Sequence, residues 1–173
     1  MPNLSLSLHP DSRSPVTWIE VDVARIAPHL LGLTYSISGD LDHIAFPSTR
    51  MSARTDELWK HTCFEAFLAV EGGYYEFNFS PSSQWAAYRF DGHRAGMRDA
   101  LADDPAIMWR LEGEAGRLSA MLRLPADVTG RLGLSAIIED QDGNRSFWAL
   151  AHPPGKPDFH HPACFAAQLP PAG

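Results

Sequence analysis

Basic charge, cysteine and long apolar runs are all scarce in this sequence. Fourteen Lys and Arg stand against 21 Asp and Glu, a net charge of −7 over 173 residues. Nucleic-acid binding draws its affinity from basic stripes that release counterions from phosphate, so no nucleic-acid partner is expected. Binding to an anionic membrane surface is disfavoured on the same ground, and no apolar run approaches the ~18 residues of a spanning helix. The opening Met-Pro-Asn-Leu-Ser-Leu-Ser-Leu-His-Pro lacks the basic region and the continuous apolar core of a secretory signal, which makes the cytoplasm the expected location. There are two cysteines, Cys63 and Cys164, far apart in the chain; in that compartment they are expected to be reduced, buried thiols. Gly-x-Gly-x-x-Gly, a Walker lysine loop, Gly-x-Ser-x-Gly, Cys-x-x-Cys and His-Glu-x-x-His are all missing. A Ser-His-Asp triad is set by geometry, and nothing in the sequence points to one.

The apolar share is 45%, ordinary for a folded protein. A chain of this length buries roughly 70% of the surface its unfolded form exposes, so one core suffices without metal or disulfide. A single domain over residues 1–170, with a short tail at 171–173, is the expected organisation. Fourteen Pro and 13 Gly are spread along the chain and cut it into short apolar segments, which suits strands. Leu4–Leu8 alternates strictly. Val16–Val23 puts Ile19, Val21 and Val23 on one face, and Leu31–Ser38 does the same with Leu31, Leu33, Tyr35 and Ile37. In Tyr74–Phe79, Tyr75, Phe77 and Phe79 oppose Tyr74, Glu76 and Asn78. Gln84–Phe90, Ala106–Glu112, Arg117–Leu124, Leu134–Glu139, Arg145–Leu150 and Ala163–Leu169 complete the expected strands, and Ala95–Asp103 is expected as a short helix. Over 56–70 the pattern is ambiguous: Trp59, Cys63, Phe67 and Val70 recur at helical spacing, while Phe64, Ala66, Leu68 and Val70 alternate. A strand from Thr62 is expected, because Ala-Val-Glu-Gly-Gly-Tyr-Tyr reads as a hairpin to the next one. About ten or eleven short strands in one chain imply an all-β, antiparallel β-sandwich or barrel-like sandwich.

Two regions concentrate chemistry. Arg54 to Glu65 gathers an arginine, Trp59 and His61 ahead of a strand that carries Glu65, and an apolar strand holds a glutamate only where the carboxylate has a partner or meets water. Phe147 to Pro162 holds four prolines, three histidines, Lys156, Asp158 and Phe159; so stiff a loop has little entropy to lose on binding. Asp158, His160 and His161 are conceivable metal ligands, although adjacent histidines seldom hold one ion together. The tryptophans and tyrosines fit either a core or a stacking site for a sugar or planar ligand.

The runs Leu58-Trp59-Lys-His-Thr62-Cys63-Phe64-Glu65-Ala-Phe67, Tyr75-Glu76-Phe77-Asn78-Phe79-Ser80-Pro81 and Trp85-Ala-Ala-Tyr88-Arg-Phe90-Asp91, with Trp148-Ala-Leu150-Ala-His152 and Pro157-Asp158-Phe159-His160, resemble the DOMON-like proteins of bacteria, relatives of the type 9 carbohydrate-binding modules. The resemblance covers nearly the whole chain. It implies an immunoglobulin-like or jelly-roll sandwich that binds sugars or b-type haem. In the sugar-binding relatives two tryptophans sandwich the sugar and polar side chains grip its hydroxyls. Trp59 matches one such position, and Trp148 or Phe159 is the candidate for the other. In the haem-binding relatives Met with His or Lys ligates iron, and Met51, Met97, His152 and His160 are the local candidates. Those relatives are mostly exported, and this sequence departs from them in showing no export signal. The resulting expectation is a non-catalytic domain for a small, carbohydrate-like ligand, with no catalytic residues, no metal ligands and no cofactor. Its binding residues are expected to be Arg54, Trp59, His61, Glu65, Asn78, Trp148, His152, Lys156, Asp158 and His160. A haem- or metal-binding domain is the alternative, and a hydrolase-like enzyme using Glu65 with His61 or His152 a further one. An exposed sheet leaves room for a homodimer.

Overall fold

The computed structural model describes residues 3–100, 102–125 and 128–172. Its strands are β1 (Asn3–Leu8), β2 (Val16–Ala27), β3 (Leu30–Gly39), β4 (Cys63–Val70), β5 (Gly73–Phe79), β6 (Trp85–Phe90), β7 (Arg98–Asp99), β8 (Ala106–Glu112), β9 (Ala115–Arg123), β10 (Arg131–Glu139), β11 (Arg145–Ala149) and β12 (Ala167–Gln168). Single turns of 3₁₀ helix lie at Leu41–His43, Leu58–Lys60 and Pro162–Cys164, and the described residues contain no α-helix. All named strand pairs are antiparallel, in the order β7-β6-β5-β4-β10-β11-β1-β2-β3-β9-β8, with β12 beside β10.

This one sheet folds over on itself at β1. Asn3 to Leu6 pair with Asp22 to Ile19 of β2, whereas Ser7 and Leu8 pair with Ala149 and Trp148 of β11. The result is two layers, the all-β sandwich expected from the many short alternating segments. Between them lies the larger core. Ile19, Val21 and Val23 of β2, with Leu33, Tyr35 and Ile37 of β3, meet Phe64, Ala66 and Leu68 of β4, Phe77 and Phe79 of β5 and Leu134 of β10. Alternation put those residues on one face, and burying that face is the main stabilising term of the fold. Tyr35 crosses the core and donates its hydroxyl to the carbonyl of Glu65, 2.7 Å away, tying β3 to the middle of β4.

The layer containing β4, β5, β6, β10 and β11 is unusual in being covered on its outer side as well. Cys63 and Phe67 of β4, Tyr74 of β5, Tyr88 and Phe90 of β6, and Ile137 of β10 join Leu58, Phe159 and Phe165 in a second apolar cluster. Six of the eight residues of β4 are therefore buried, which explains why its periodicity was ambiguous: a strand apolar on both faces carries no alternation. Both cysteines are buried free thiols within that cluster.

Two expected elements differ. No helix forms over 95–103 among the described residues; Leu101 lies outside them. Gly96 takes a left-handed φ of +69° in a tight turn, and Arg98 and Asp99 then pair with Arg89 and Tyr88 as the edge strand β7. The expected strand Ala163–Leu169 contracts to β12, because Pro162 opens a 3₁₀ turn whose first N–H, from Ala163, is capped by His161 Nδ1 at 3.1 Å. Of the expected tail, Gly173 lies outside the described residues.

Candidate ligand-binding site

The outer face of the doubly covered layer holds a cavity of about 330 Å³. Its floor comes from the strands: Glu65 of β4, Glu76 of β5 and Ile137 of β10. Its walls are mostly rings, Trp59, Phe90, Phe147 and Phe159, with His160 beside them and Arg94, Met97, Arg145 and Pro157 completing the lining. The segment led by Trp59 and the proline-rich loop thus meet around one space.

Strand register explains the floor. Glu65 pairs with Asn78 across β4 and β5, and Glu76 lies two residues from Asn78 on the same face. Both carboxyls are deeply buried, Glu65 at 2% and Glu76 at 4% exposure. Ser135, opposite Glu65 on β10, donates its hydroxyl to Glu65 Oε2 at 3.3 Å. Asn78 Nδ2 donates to Glu76 Oε1 at 3.0 Å, while Asn78 Oδ1 is buried with no donor among the described residues. Burial pushes the Glu65 carboxyl well above the ordinary range, and the charge of Glu76 pushes it further against weaker pulls from Ser135 and Arg94. Burial likewise pushes Glu76 up to about 7, with Asn78 and Arg94 pulling the other way.

His160 is held by aromatic rings. Those of Phe67 and Phe90 lie 5.2 and 5.0 Å from it, edge-on, and its Nδ1 is 2.7 Å from the Tyr74 hydroxyl. That hydroxyl also accepts the Arg94 N–H at 3.1 Å, so it donates its own proton to Nδ1 and leaves the imidazole with Nε2–H. Nε2 faces Glu76 Oε2 at 3.6 Å. Burial, with Arg94 adding to it, pushes His160 down to about 4, so the ring is neutral at pH 7. Asp158 fastens the proline-rich loop to the turn after β6. It accepts from His93 Nε2 at 2.7 Å and from Arg94 Nε and Nη2 at 3.1 and 3.0 Å. Burial pushes its carboxyl up, but His93 and Arg94 outweigh that and hold it below the ordinary Asp value.

Of the ten residues singled out in the sequence, Trp59, Glu65 and His160 line this cavity, and Asn78 braces it from the floor. Lys156 and Asp158 border a more open depression next to it, shared with Arg94 and Pro157. Four lie elsewhere. Trp148 points to the opposite side of β11, into the core between the layers, because its neighbour Phe147 takes the outer face. Arg54 donates to the carbonyls of Ala100 and Ala87, pairs with Asp99 at 3.1 Å and lies over the rings of Trp85 and Tyr88. His61 meets Glu139 at 2.7 Å on the surface. His152 donates to the Ser7 carbonyl at 2.8 Å and packs edge-on against His9, pinning the loop to β1. Glu76, Phe90, Arg94 and Phe147 were not among the ten. Only Glu76 left a usable signal, as a carboxylate sharing the alternating face of Asn78.

Solved structures with a similar fold exist. A candidate carbohydrate-binding protein from Bacteroides uniformis superposes with a TM-score of 0.64 at 14% identity, covering 94% of this chain and 82% of its own. A family 9 carbohydrate-binding module from Caldicellulosiruptor kristjanssonii, solved with cellotriose, gives a TM-score of 0.53 at 9% identity over 88% and 75% of the two chains. A structure of such a module from the same organism with glucose gives 0.52 at 10% identity over 91% and 80%. This is a fold that carbohydrate-binding modules use. No protein-family model matches the chain, and no curated protein matches it.

The side chains present do not fit the axial ligand pair of a haem. Met51 is 89% exposed, and His152 is bonded to β1 away from the cavity. Met97 and His160 border the same space, but Nδ1 of His160 is engaged by Tyr74 and its Nε2–H faces Glu76. Among the described residues no three His, Cys, Asp or Glu are grouped to hold a metal ion. Burial, then the charge of Asp158, pushes the Cys164 thiol up to about 11, and burial also raises Cys63; neither has the character of a nucleophile.

Proposed function

We propose that the chain is a non-catalytic, DOMON-like ligand-binding domain whose ligand is carbohydrate-like and sits in the cavity between Trp59 and the proline-rich loop. The observation that carries this reading is the composition of that cavity: aromatic walls over a floor of buried carboxylates. A sugar ring offers apolar C–H faces to such walls and hydroxyl donors to such a floor. About 330 Å³ falls at the lower end of small-molecule sites, roughly 300–1,000 Å³, and suits one or two rings. Further support comes from the neighbouring folds, whose modules were solved with cellotriose and glucose. Trp59 forms one stacking wall, and Phe159 takes the role that a second tryptophan plays in the sugar-binding relatives. A binding role is favoured over a catalytic one because neither His61 nor His152 borders the cavity with Glu65. Isothermal titration with glucose and short gluco-oligosaccharides tests it. The wild-type chain is expected to bind, and Trp59→Ala to weaken binding by at least about tenfold, the loss of one stacked ring. Folded protein giving no heat with any sugar would overturn the reading.

A further inference from the structure

With its carboxyls ionised, the cavity floor is rich in acceptors and short of donors. Glu65 accepts one side-chain hydrogen bond, from Ser135 to Oε2, and no donor among the described residues reaches its Oε1. Glu76 accepts one from Asn78, and its Oε2 stands 3.6 Å from His160 Nε2, beyond hydrogen-bond range. Asn78 Oδ1, buried on the same face, has no donor either. Two carboxyls at 2% and 4% exposure therefore share a cavity with few protein groups to satisfy them, and their free oxygens face the cavity, where water or a ligand must complete them.

The nearby cations leave that demand unmet. Arg94 is held at the rim by two hydrogen bonds to Asp158, and His93 is bonded to the same carboxylate. Arg145 lines the cavity from the exposed end of β11. His160 is neutral, and Tyr74 directs its hydroxyl to His160. Four aromatic side chains, Trp59, Phe90, Phe147 and Phe159, face the same space, and aromatic faces attract a cation. An ammonium group offers three donors and no acceptor, matching such a floor better than a hydroxyl, which brings lone pairs with it.

We infer that the ligand presents a protonated amine to the Glu65–Glu76 pair, so that the carbohydrates this site selects are amino sugars. The sugar ring rests on the reading given above; the positive charge does not. A proton balance follows. At neutral pH Glu76, pushed up to about 7, is partly protonated, burial raises Glu65 as well, and an entering ammonium drives a proton off the pair. Affinity thus rises with pH through about 7 and falls once the sugar amine, acidified by its neighbouring hydroxyls toward the α-amino value of roughly 8, loses its own charge.

The test is isothermal titration of the full chain with glucose, glucosamine and N-acetylglucosamine, near neutral pH, in two buffers of different protonation heat. Glucosamine is expected to bind at least about tenfold more tightly than glucose, and acetylation to erase the gain. The glucosamine heats should differ between buffers by the released proton. Glu76→Gln, which keeps the oxygen that Asn78 donates to, should bring glucosamine down to the level of glucose. Equal binding of glucose and glucosamine would overturn the inference and leave the carbohydrate reading standing. Binding of cyclohexylamine, lost in Glu76→Gln, with no sugar bound would sustain the cation site and overturn the carbohydrate reading. No binding by any of these compounds would overturn both.

Discussion

Replacing Glu76 by Gln should stabilise the protein, and only above a definite pH. The Glu76 carboxyl titrates at 4.5 in the unfolded reference and at about 7 when folded. Below about pH 4.5 both states hold the proton, and stability is full. Between there and about 7 the unfolded chain releases its proton first, so native stability declines as pH rises. Above that window both states are ionised, and the loss is constant. Each pKa unit is worth about 1.4 kcal/mol, so the loss amounts to roughly 3 kcal/mol. The amide introduced by Glu76→Gln cannot ionise, and its oxygen still accepts from Asn78, so the variant escapes this loss. It should match the wild type at about pH 4 and exceed it by about 3 kcal/mol at about pH 8, or roughly 6–12 °C in Tm for a chain of this size. Urea and thermal denaturation of both proteins across that range is the assay. Taking the difference between them cancels the opposing contribution of His160, whose folded value of about 4 favours stability as pH rises toward its ordinary one. A variant less stable at alkaline pH, or a difference that does not change with pH, would refute the reasoning.

Other outcomes follow from the packing. Tyr35→Phe leaves the buried Glu65 carbonyl without its hydroxyl partner at 2.7 Å and should cost about 1–3 kcal/mol by urea denaturation. Trp148→Ala, emptying a site 4% exposed between the layers, should cost about 3–5 kcal/mol, yet leave sugar affinity in the folded fraction unchanged by titration. Gly73→Ala should break the β5 hairpin, because Gly73 takes a φ of +142° and a Cβ there would collide with the Phe90 carbonyl. Circular dichroism and expression yield would report the loss.

The architecture was legible where one face of a strand is dry and the other is not. In β3, Leu33, Tyr35 and Ile37 alternate with half-buried Thr34, Ser36 and Ser38, and the expected strand matched within a residue at each end. β4 resisted, because Phe67 is as buried on the outer face as Phe64 and Ala66 are on the inner one. Over 95–103 a short helix was expected, but the left-handed turn at Gly96 and the open edge of β6, outside the segment, drew Arg98 and Asp99 into a strand instead. The site was legible in part for the same reason. Glu65 stood out as a carboxylate in an apolar strand and Trp59 as the lead into it, while Arg94 reaches the cavity from a turn whose path no local pattern encodes and Phe90 from the end of β6. Phe147 and Trp148 show the limit most directly. They are adjacent aromatics on one strand, and a single step of register decides which meets a ligand and which fills the core.

The dual pairing of β1 carries a consequence for how the protein is made. Ser7 finds its partner only when Ala149 exists, so at ~5–20 residues per second a ribosome keeps that strand waiting for on the order of ten seconds. During that interval the β1–β2–β3 meander can assemble locally, but its dry side has no opposing layer. Closure of the molecule is thus a late event, and the nascent chain should engage hydrophobe-shielding chaperones until β11 emerges.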